Sequence, residues 1–401
     1  MSKRVNKDSR PILSQQLRQA LIGTLKTHLP LGLDGPELDD EKLWEILLYA
    51  SINGIAIESA CNALDQVPSG NTVRAHLQGC LDPSCFGVFA LEESLNETLQ
   101  HQLPRGVRRR LHKGKGFEVG IDLVEIPYHG QPAGQEEELC RGLAKSGTTH
   151  FHRYATLAIV HHHWRYEVAL LFVWADETMD QVIERLLAQA AQVGVRLRRA
   201  YLDKGFCRKE VFALLRRHRL PYLIPIPLRG QQGGIRQLFV GRKGYRTTYT
   251  FNAGTPQQYT TDVIVIRRYS KGRYGRHQSG WFAYAAYGME AVPLAQIFEG
   301  YRRRFGMESG YRQMHQVRGR TTSPSPTLRL LLIGLAFLLY NAYILFRQIG
   351  RTTRSYGQRL RLIWLTLSRM KQLLQQLIIA KLGLEDLTSR VVPWMETQPA
   401  S

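Results

Sequence analysis

Acidic residues and paired cysteines are what this sequence has least of. Asp and Glu number 33 against 54 Lys and Arg in 401 residues, a net charge of +21. An imbalance of that size says little about fold. It points to an acidic polymer or an anionic membrane surface as partner. The five cysteines, Cys61, Cys80, Cys85, Cys140 and Cys207, are odd in number and contain no Cys-x-x-Cys pair. That argues against a secreted disulfide framework and fits a reducing compartment. The opening MSKRVNKDSR is basic but has no apolar h-region, so no signal peptide is expected. No internal repeat stands out.

Long apolar runs are also missing, with one exception. Leu328 to Phe346 reads LRLLLIGLAFLLYNAYILF, long enough to span a bilayer. It contains Arg329 and Asn341 and follows Ser-Pro-Ser-Pro at 323–326. Nothing else in the chain looks membranous, so this run is read as a helix buried in a large core and no membrane is expected. A single-span membrane protein is the reading it competes with. With 44% apolar residues the chain can build two or three domains.

Periodicity divides the rest. Residues 1–115 read as a helical, DNA-binding domain: Ile12–Leu29, Glu41–Ala50 and Gly54–Leu64 carry apolar residues at three- and four-residue spacing. A turn at 65–70 follows, then a helix at Thr72–Gln78 capped by Asn71, a pattern compatible with a helix-turn-helix carrying Arg74. A basic, glycine-containing linker follows at 105–116, suited to phosphate contacts. Strand periodicity begins at Phe117–Ile126, continues in a hairpin of Tyr154–His162 and Tyr166–Trp174, and is followed by helix Glu177–Val193. Strand Arg196–Leu202, helix Lys209–His218 and strand Pro221–Ile226 complete the series. The expected class is α/β, with residues 116–226 and 291–350 forming one domain around a mixed sheet. Residues 227–290 read as a β-rich insertion, and 351–401 as a C-terminal helical region and tail.

Asp122 lies in the apolar stretch Val119-Gly120-Ile121-Asp122-Leu123, where an unpaired carboxylate is costly unless it binds a cation. Asp203 closes the strand Ala200-Tyr201-Leu202. An Asp ending a strand often caps the next turn, and that is its plainer reading. Residues 301–318 read YRRRFGMESGYRQMHQVR. On one continuous helix, Tyr301, Arg304, Glu308 and His315 fall within roughly 60° of one another, with Arg312 near the same line. A solvated face with an Arg304–Glu308 pair at i,i+4 gives the same pattern. Glycines at 300, 306 and 310 are poor choices for a purely structural helix. His150, His152 and His161 to His163 raise the thought of zinc, but lack cysteine partners at suitable spacing and read as ordinary surface histidines.

Three of these segments together resemble a known family. Tyr301-x-x-Arg304-x-x-x-Glu308 resembles the signature of prokaryotic insertion-sequence transposases of the DDE type, although His315 stands where that signature ends in Lys. Asp-Lys-Gly-Phe at 203–206 resembles the motif around the second Asp, and Ile121 to Gly130 the motif around the first. The resemblance covers about 117–347 and implies a ribonuclease-H-like fold. It implies catalytic and metal-binding roles for Asp122, Asp203 and Glu308, which would hold two Mg²⁺ or Mn²⁺ ions. It implies phosphate contacts for Tyr301 and Arg304 and puts His315 at the DNA-binding Lys position, where a neutral imidazole is a weaker clamp that Arg312 or Arg318 would compensate.

The resemblance further implies cleavage at transposon ends and strand transfer, with terminal inverted repeats and target DNA as partners, a homodimer on DNA, and a place in the prokaryotic cytoplasm at the nucleoid. It also implies that the apolar helix at 328–346 packs on the sheet. A nuclease on the same fold without strand transfer, and a non-catalytic DNA-binding descendant, are the alternatives.

Overall fold

The computed structural model describes residues 15–82, 86–104, 107, 116–160, 165–192, 194–271, 277–352, 354–355, 358–359 and 365–385. The basic linker, His161 to His163, and the tail beyond residue 385 lie outside the described residues. The chain divides into two compact units, one of residues 1–102 with 313–401, the other of 103–312. These boundaries differ from those read in the sequence: the N-terminal helices share a unit with the C-terminal ones.

The first unit is helical. A π-helical stretch at Gln19–Gly23 leads into α1 (Thr24–His28), followed by α2 (Asp40–Asn53), α3 (Ile57–Ala63), α4 (Gly70–Cys80) and α5 (Val88–His101). Asp39 caps α2 by accepting from the Lys42 amide at 2.7 Å, and Gly54 ends it in a left-handed turn at φ 63°. The cap of α4 is Ser69, two residues before the expected Asn71; its hydroxyl accepts from the Thr72 amide. Gly70 lets α4 lie against α3, because a Cβ there would stand 2.7 Å from Glu58 Cα. Arg74 is on α4, bonded to Asn71.

The remaining elements of this unit follow the sheet-bearing segment in sequence. The apolar run lies within a helix spanning Pro326–Thr352, with 94% of its most apolar window buried. Within the unit it packs against α2 and α5, with Gly334 admitting Leu95. A last helix covers Leu367–Leu382.

The second unit is built on one nine-stranded mixed sheet. Its strands are β1 (Phe117–Pro127), β2 (Cys140–Lys145), β3 (Thr148–Val160), β4 (Arg165–Val173), β5 (Leu197–Leu202), β6 (Tyr222–Pro225), β7 (Tyr245–Phe251), β8 (Tyr259–Lys271) and β9 (His277–Tyr287). The order is β2-β3-β1-β5-β6-β9-β8-β7, with β4 paired to β3. β1 runs antiparallel to β3 and parallel to β5, and β5 runs parallel to β6. This mixed central arrangement, crossed over by α6 (Met179–Gln192) and α7 (Lys209–Arg217), is the ribonuclease-H-like one expected. Strand β2 was not foreseen. It enters through a tight hairpin in which Ser146 and Gly147 take φ 50° and 81°, the signature of a two-residue turn between strands.

The stretch 227–290 is an insertion in sequence but not a separate body. β9 pairs with β6 and carries β8 and β7 on its far side, so the sheet runs on unbroken. Helix α8 (Leu294–Arg302) packs on the face formed in part by these strands, with Ile297 and Tyr301 against Ile264 and Tyr284. α9 (Phe305–His315) follows, and its Met307 joins the same core. The helices described above at 326–352 and 367–382 are α10 and α11.

Candidate active site

Asp122 sits in the middle of β1, opposite Thr156 of β3, and is 8% exposed. Burial pushes its carboxyl up to about 6; the Arg304 guanidinium opposes that, and the charge of Asp203 adds to it. One oxygen accepts from the Leu123 amide at 2.9 Å. A divalent cation at this point would draw the group back to its ionised form.

Asp203 follows the last residue of the neighbouring parallel strand β5. Its backbone opens the short turn at Lys204–Phe206, but its side chain caps nothing there. The plainer reading of a strand-end Asp therefore does not account for it. Its carboxylate instead takes the Nη2 of Arg304 at 3.0 Å, while Nη1 of the same guanidinium lies 2.6 Å from Asp122. Glu308, in the first turn of α9, is the third neighbour: Oε1 is 3.9 Å from Arg304 Nη2, and the side chain is 54% exposed. One buried guanidinium thus collects all three carboxylates that the sequence singled out.

Arg304 reaches this position because the helix expected over 301–318 is broken. α8 ends at Arg302 and α9 begins at Phe305. Across the break the amides of Arg303, Arg304, Gly306 and Met307 bond carbonyls three residues back, tightening the chain. Arg165 of β4 donates from Nε to the Arg303 carbonyl at 3.1 Å, and Gly306 leaves it room, since a Cβ there would overlap the guanidinium. Gly120, on the same face of β1 as Asp122, admits the break: a Cβ on it would stand 2.3 Å from Met307 Sδ.

The break changes what the signature residues do. Tyr301 is buried and donates its hydroxyl to the Leu202 carbonyl at 3.1 Å, accepting from Arg304 Nε at 3.0 Å. Burial, the largest influence, pushes its ionisation above the usual phenol range. Tyr301 and Arg304 are thus bonded within the protein, not laid open along one face. Arg312 is exposed and touches Ser309. His315, in the last turn of α9, belongs to the helical unit; desolvation first, then Arg318, lowers its pKa.

Two further groups stand behind Asp122 that sequence reasoning passed over. Glu167 of β4 is 1% exposed, and burial together with the Asp122 charge pushes its carboxyl up to about 8, so it holds a proton at neutral pH. Thr156, between them in the sheet, shares a 2.7 Å hydrogen bond with the Tyr311 hydroxyl. Glu167 carried the same signal as Asp122, a carboxylate inside an apolar strand (Arg-Tyr-Glu-Val-Ala-Leu-Leu).

The oxygen-only donor set of Asp122, Asp203 and Glu308 suits a hard divalent ion, and a cation already stands among the three side chains in the form of Arg304. Of the histidines weighed for zinc, His161 to His163 lie outside the described residues, and His152 is not a surface residue but is buried between the rings of Tyr128 and Phe172. In the helical unit His28, Glu97 and His101 bring ligand atoms within 4.8 Å of one another. The two imidazoles are stacked at 3.7 Å and 24°, so their in-plane lone pairs run nearly parallel and do not converge. The four cysteines among the described residues are free.

A mixed sheet of this order, with carboxylates from adjacent parallel strands and a following helix facing one cation, defines a ribonuclease-H-like fold. Residues 121–342, more than half of the chain, match the transposase DDE domain family, and the chain belongs to that family. The family's members are transposases, enzymes that cleave DNA and generally rely on divalent metals. Among solved structures the chain is similar to one titled a cryo-EM structure of piggyBac transposase synaptic complex with hairpin DNA. The identity is 9%, the match covers 94% of this chain and 82% of that one, and the TM-score is 0.53. At that identity the likeness speaks for the fold alone. No curated protein matches the sequence.

Proposed function

We propose that the chain is a DNA transposase in which Asp122, Asp203 and Glu308 are the catalytic carboxylates, holding two Mg²⁺ or Mn²⁺ ions. The observation that carries this is the meeting of all three on the guanidinium of Arg304, at 2.6, 3.0 and 3.9 Å. Three carboxylates around a single counter-charge are over-supplied with negative charge, and bound divalent ions would balance it while activating an attacking oxygen and stabilising the leaving one.

The protein's own contribution is positional. Asp122 and Asp203 are fixed by adjacent strands, so their spacing is set by the sheet. Glu308, exposed on the first turn of α9, is the member free to move toward a phosphodiester. Arg304 would leave its two Asp partners for a scissile or adjacent phosphate, with Tyr301 as its pivot. Arg312 and His315 are the further DNA contacts this reading assigns, and residues 1–115, including α4, a DNA-binding region. The reaction is hydrolysis at transposon ends followed by attack of the freed 3′ hydroxyl on target DNA, with no covalent protein intermediate. The partners are terminal inverted repeats and target DNA, and the active form is a homodimer in a prokaryotic cytoplasm, at the nucleoid.

The test is a strand-transfer assay with paired donor ends and target DNA in Mg²⁺. Asp122→Ala, Asp203→Ala and Glu308→Ala should each abolish cleavage and joining while leaving DNA affinity intact. Metal-dependent cleavage that survives Asp203→Ala would reject the assignment. Cleavage without joined product would favour a nuclease.

A further inference from the structure

A second charged centre lies on the same face of β1, four residues before Asp122. Glu118 is buried, and three arginines converge on it: Arg198 at 2.6 Å, Arg199 at 3.1 Å and Arg303 at 2.7 Å. The Tyr201 hydroxyl donates to its other oxygen at 3.2 Å. All of these residues line a cleft of about 470 Å³, with Gln296 of α8 on its wall. One carboxylate neutralises one of three guanidiniums, so the cleft keeps a net charge near +2. The Nε of Arg199 is buried with no hydrogen-bond partner, and Arg198 has 56% of its side chain exposed. A structural ion pair needs one arginine; three, with a donor left over, are a site built for a further anion.

We propose that this cleft binds a backbone phosphate of the DNA strand. It is held by Arg198 and Arg199, and Glu118 keeps the guanidiniums in place when DNA is absent. The inference rests on the reading of DNA as partner and adds to it a contact outside the carboxylate centre. Glu118 and Asp122 are four residues apart on one strand, roughly 13 Å. That is within a few nucleotides along a DNA strand, so one strand can reach both. Arg303, which closes the cleft, is joined to Arg304 in the next centre, so the two sites share the short break between α8 and α9.

The experiment uses the full chain without divalent ions and a 30-base-pair mixed-sequence duplex, its affinity followed by anisotropy from 50 to 200 mM KCl. For Arg198→Ala/Arg199→Ala the slope of log affinity against log salt should become shallower by about 1 to 2, as expected for one or two lost phosphate contacts. Arg198→Lys/Arg199→Lys should keep the wild-type slope. Mn²⁺ binding to the carboxylate centre should be the same in all three. Should the double alanine variant not fold, Arg198→Glu at the exposed rim should lower the slope alone.

A wild-type slope in a folded Arg198→Ala/Arg199→Ala or Arg198→Glu chain overturns the proposal while leaving the transposase reading standing. Failure of the wild type to bind duplex at all sinks both. If inorganic phosphate raises the melting temperature of wild type but not of the double variant, and their DNA slopes agree, the cleft is a free-anion site and the DNA assignment is wrong.

Discussion

Arg304 and Asp122 form a buried ion pair, Nη1 to Oδ2 at 2.6 Å, at the point where the three carboxylates meet. The guanidinium lies among the three carboxylates, and both partners of the pair are almost removed from water. Removing the guanidinium leaves Asp122 charged and uncompensated. Arg304→Ala is therefore expected to lose about 3 kcal/mol of stability at pH 8 in EDTA. The loss should shrink at pH 5, where Asp122 can take up a proton instead. Mn²⁺ should restore more stability to the variant than it adds to wild type. Urea unfolding of the full chain with and without the ion checks this; equal stability of variant and wild type in EDTA would show that the guanidinium is not the counter-charge.

The approach of the α8–α9 break to β1 depends on a missing side chain. Gly120 faces Met307 so closely that an added Cβ would lie 2.3 Å from its sulfur and 3.5 Å from Arg304 Cγ. Met307 is fully buried and has little room to turn aside, so Gly120→Ala is expected to push α9 away from the strand and take Glu308 with it. A displacement near 1 Å at a reacting centre costs on the order of 100-fold in rate. Cleavage by Gly120→Ala should fall by about that factor while its affinity for duplex stays within twofold; wild-type cleavage rates would show that the break can absorb the methyl group.

How far the sequence spoke for the structure depends on the range of the interaction. Strand periodicity at 117–126, 196–202 and 245–251 was legible because alternation is local, and Asp122 stood out because it interrupts an apolar run. The pairing of β9 with β6 was not legible. Register between strands about fifty residues apart leaves no local trace, so the segment 227–290 read as a β-rich insertion and not as a continuation of the sheet. The break at 303–304 was hidden by a helical spacing that runs through it. Only the glycines at 300 and 306 hinted at it, and what decides it is the tertiary fit of Arg304 between Asp122 and Asp203. Glu118 and Glu167 were missed although each is a carboxylate in an apolar strand, because no motif drew attention to them.

Gly334 gives a test of how α10 is held. It faces Leu95 of α5, whose Cδ2 would stand 2.5 Å from an added Cβ. In a membrane helix exposed to lipid, Gly334→Ala would raise helix propensity and stabilise. Packed against Leu95, the same change should instead cost about 1–3 kcal/mol through overcrowding. Thermal melts of the variant in detergent-free buffer distinguish the two: an unchanged or raised melting temperature would contradict the packing described for α10.

Glu41, on α2 of the helical unit, links pH to stability through a local cluster. Its carboxylate accepts from Lys381 at 2.6 Å and Lys26 at 3.0 Å, and Arg18 also reaches it. These partners, Lys381 first, hold its pKa at about 2, below its ordinary 4.5. A carboxylate with a depressed folded-state pKa releases its proton more readily when folded. Its stabilising contribution is complete above about pH 4.5 and disappears as the pH falls toward 2. Glu41→Gln removes that contribution and its pH dependence together. Between pH 5 and pH 2.5 the wild type should therefore lose stability more steeply than Glu41→Gln, and the two curves should converge at the acid end. Because Lys381 lies on α11, Lys381→Met should reproduce part of the flattening. Parallel curves for wild type and Glu41→Gln over this range would mean that the unfolded chain holds the Glu41 proton no more tightly than the folded one.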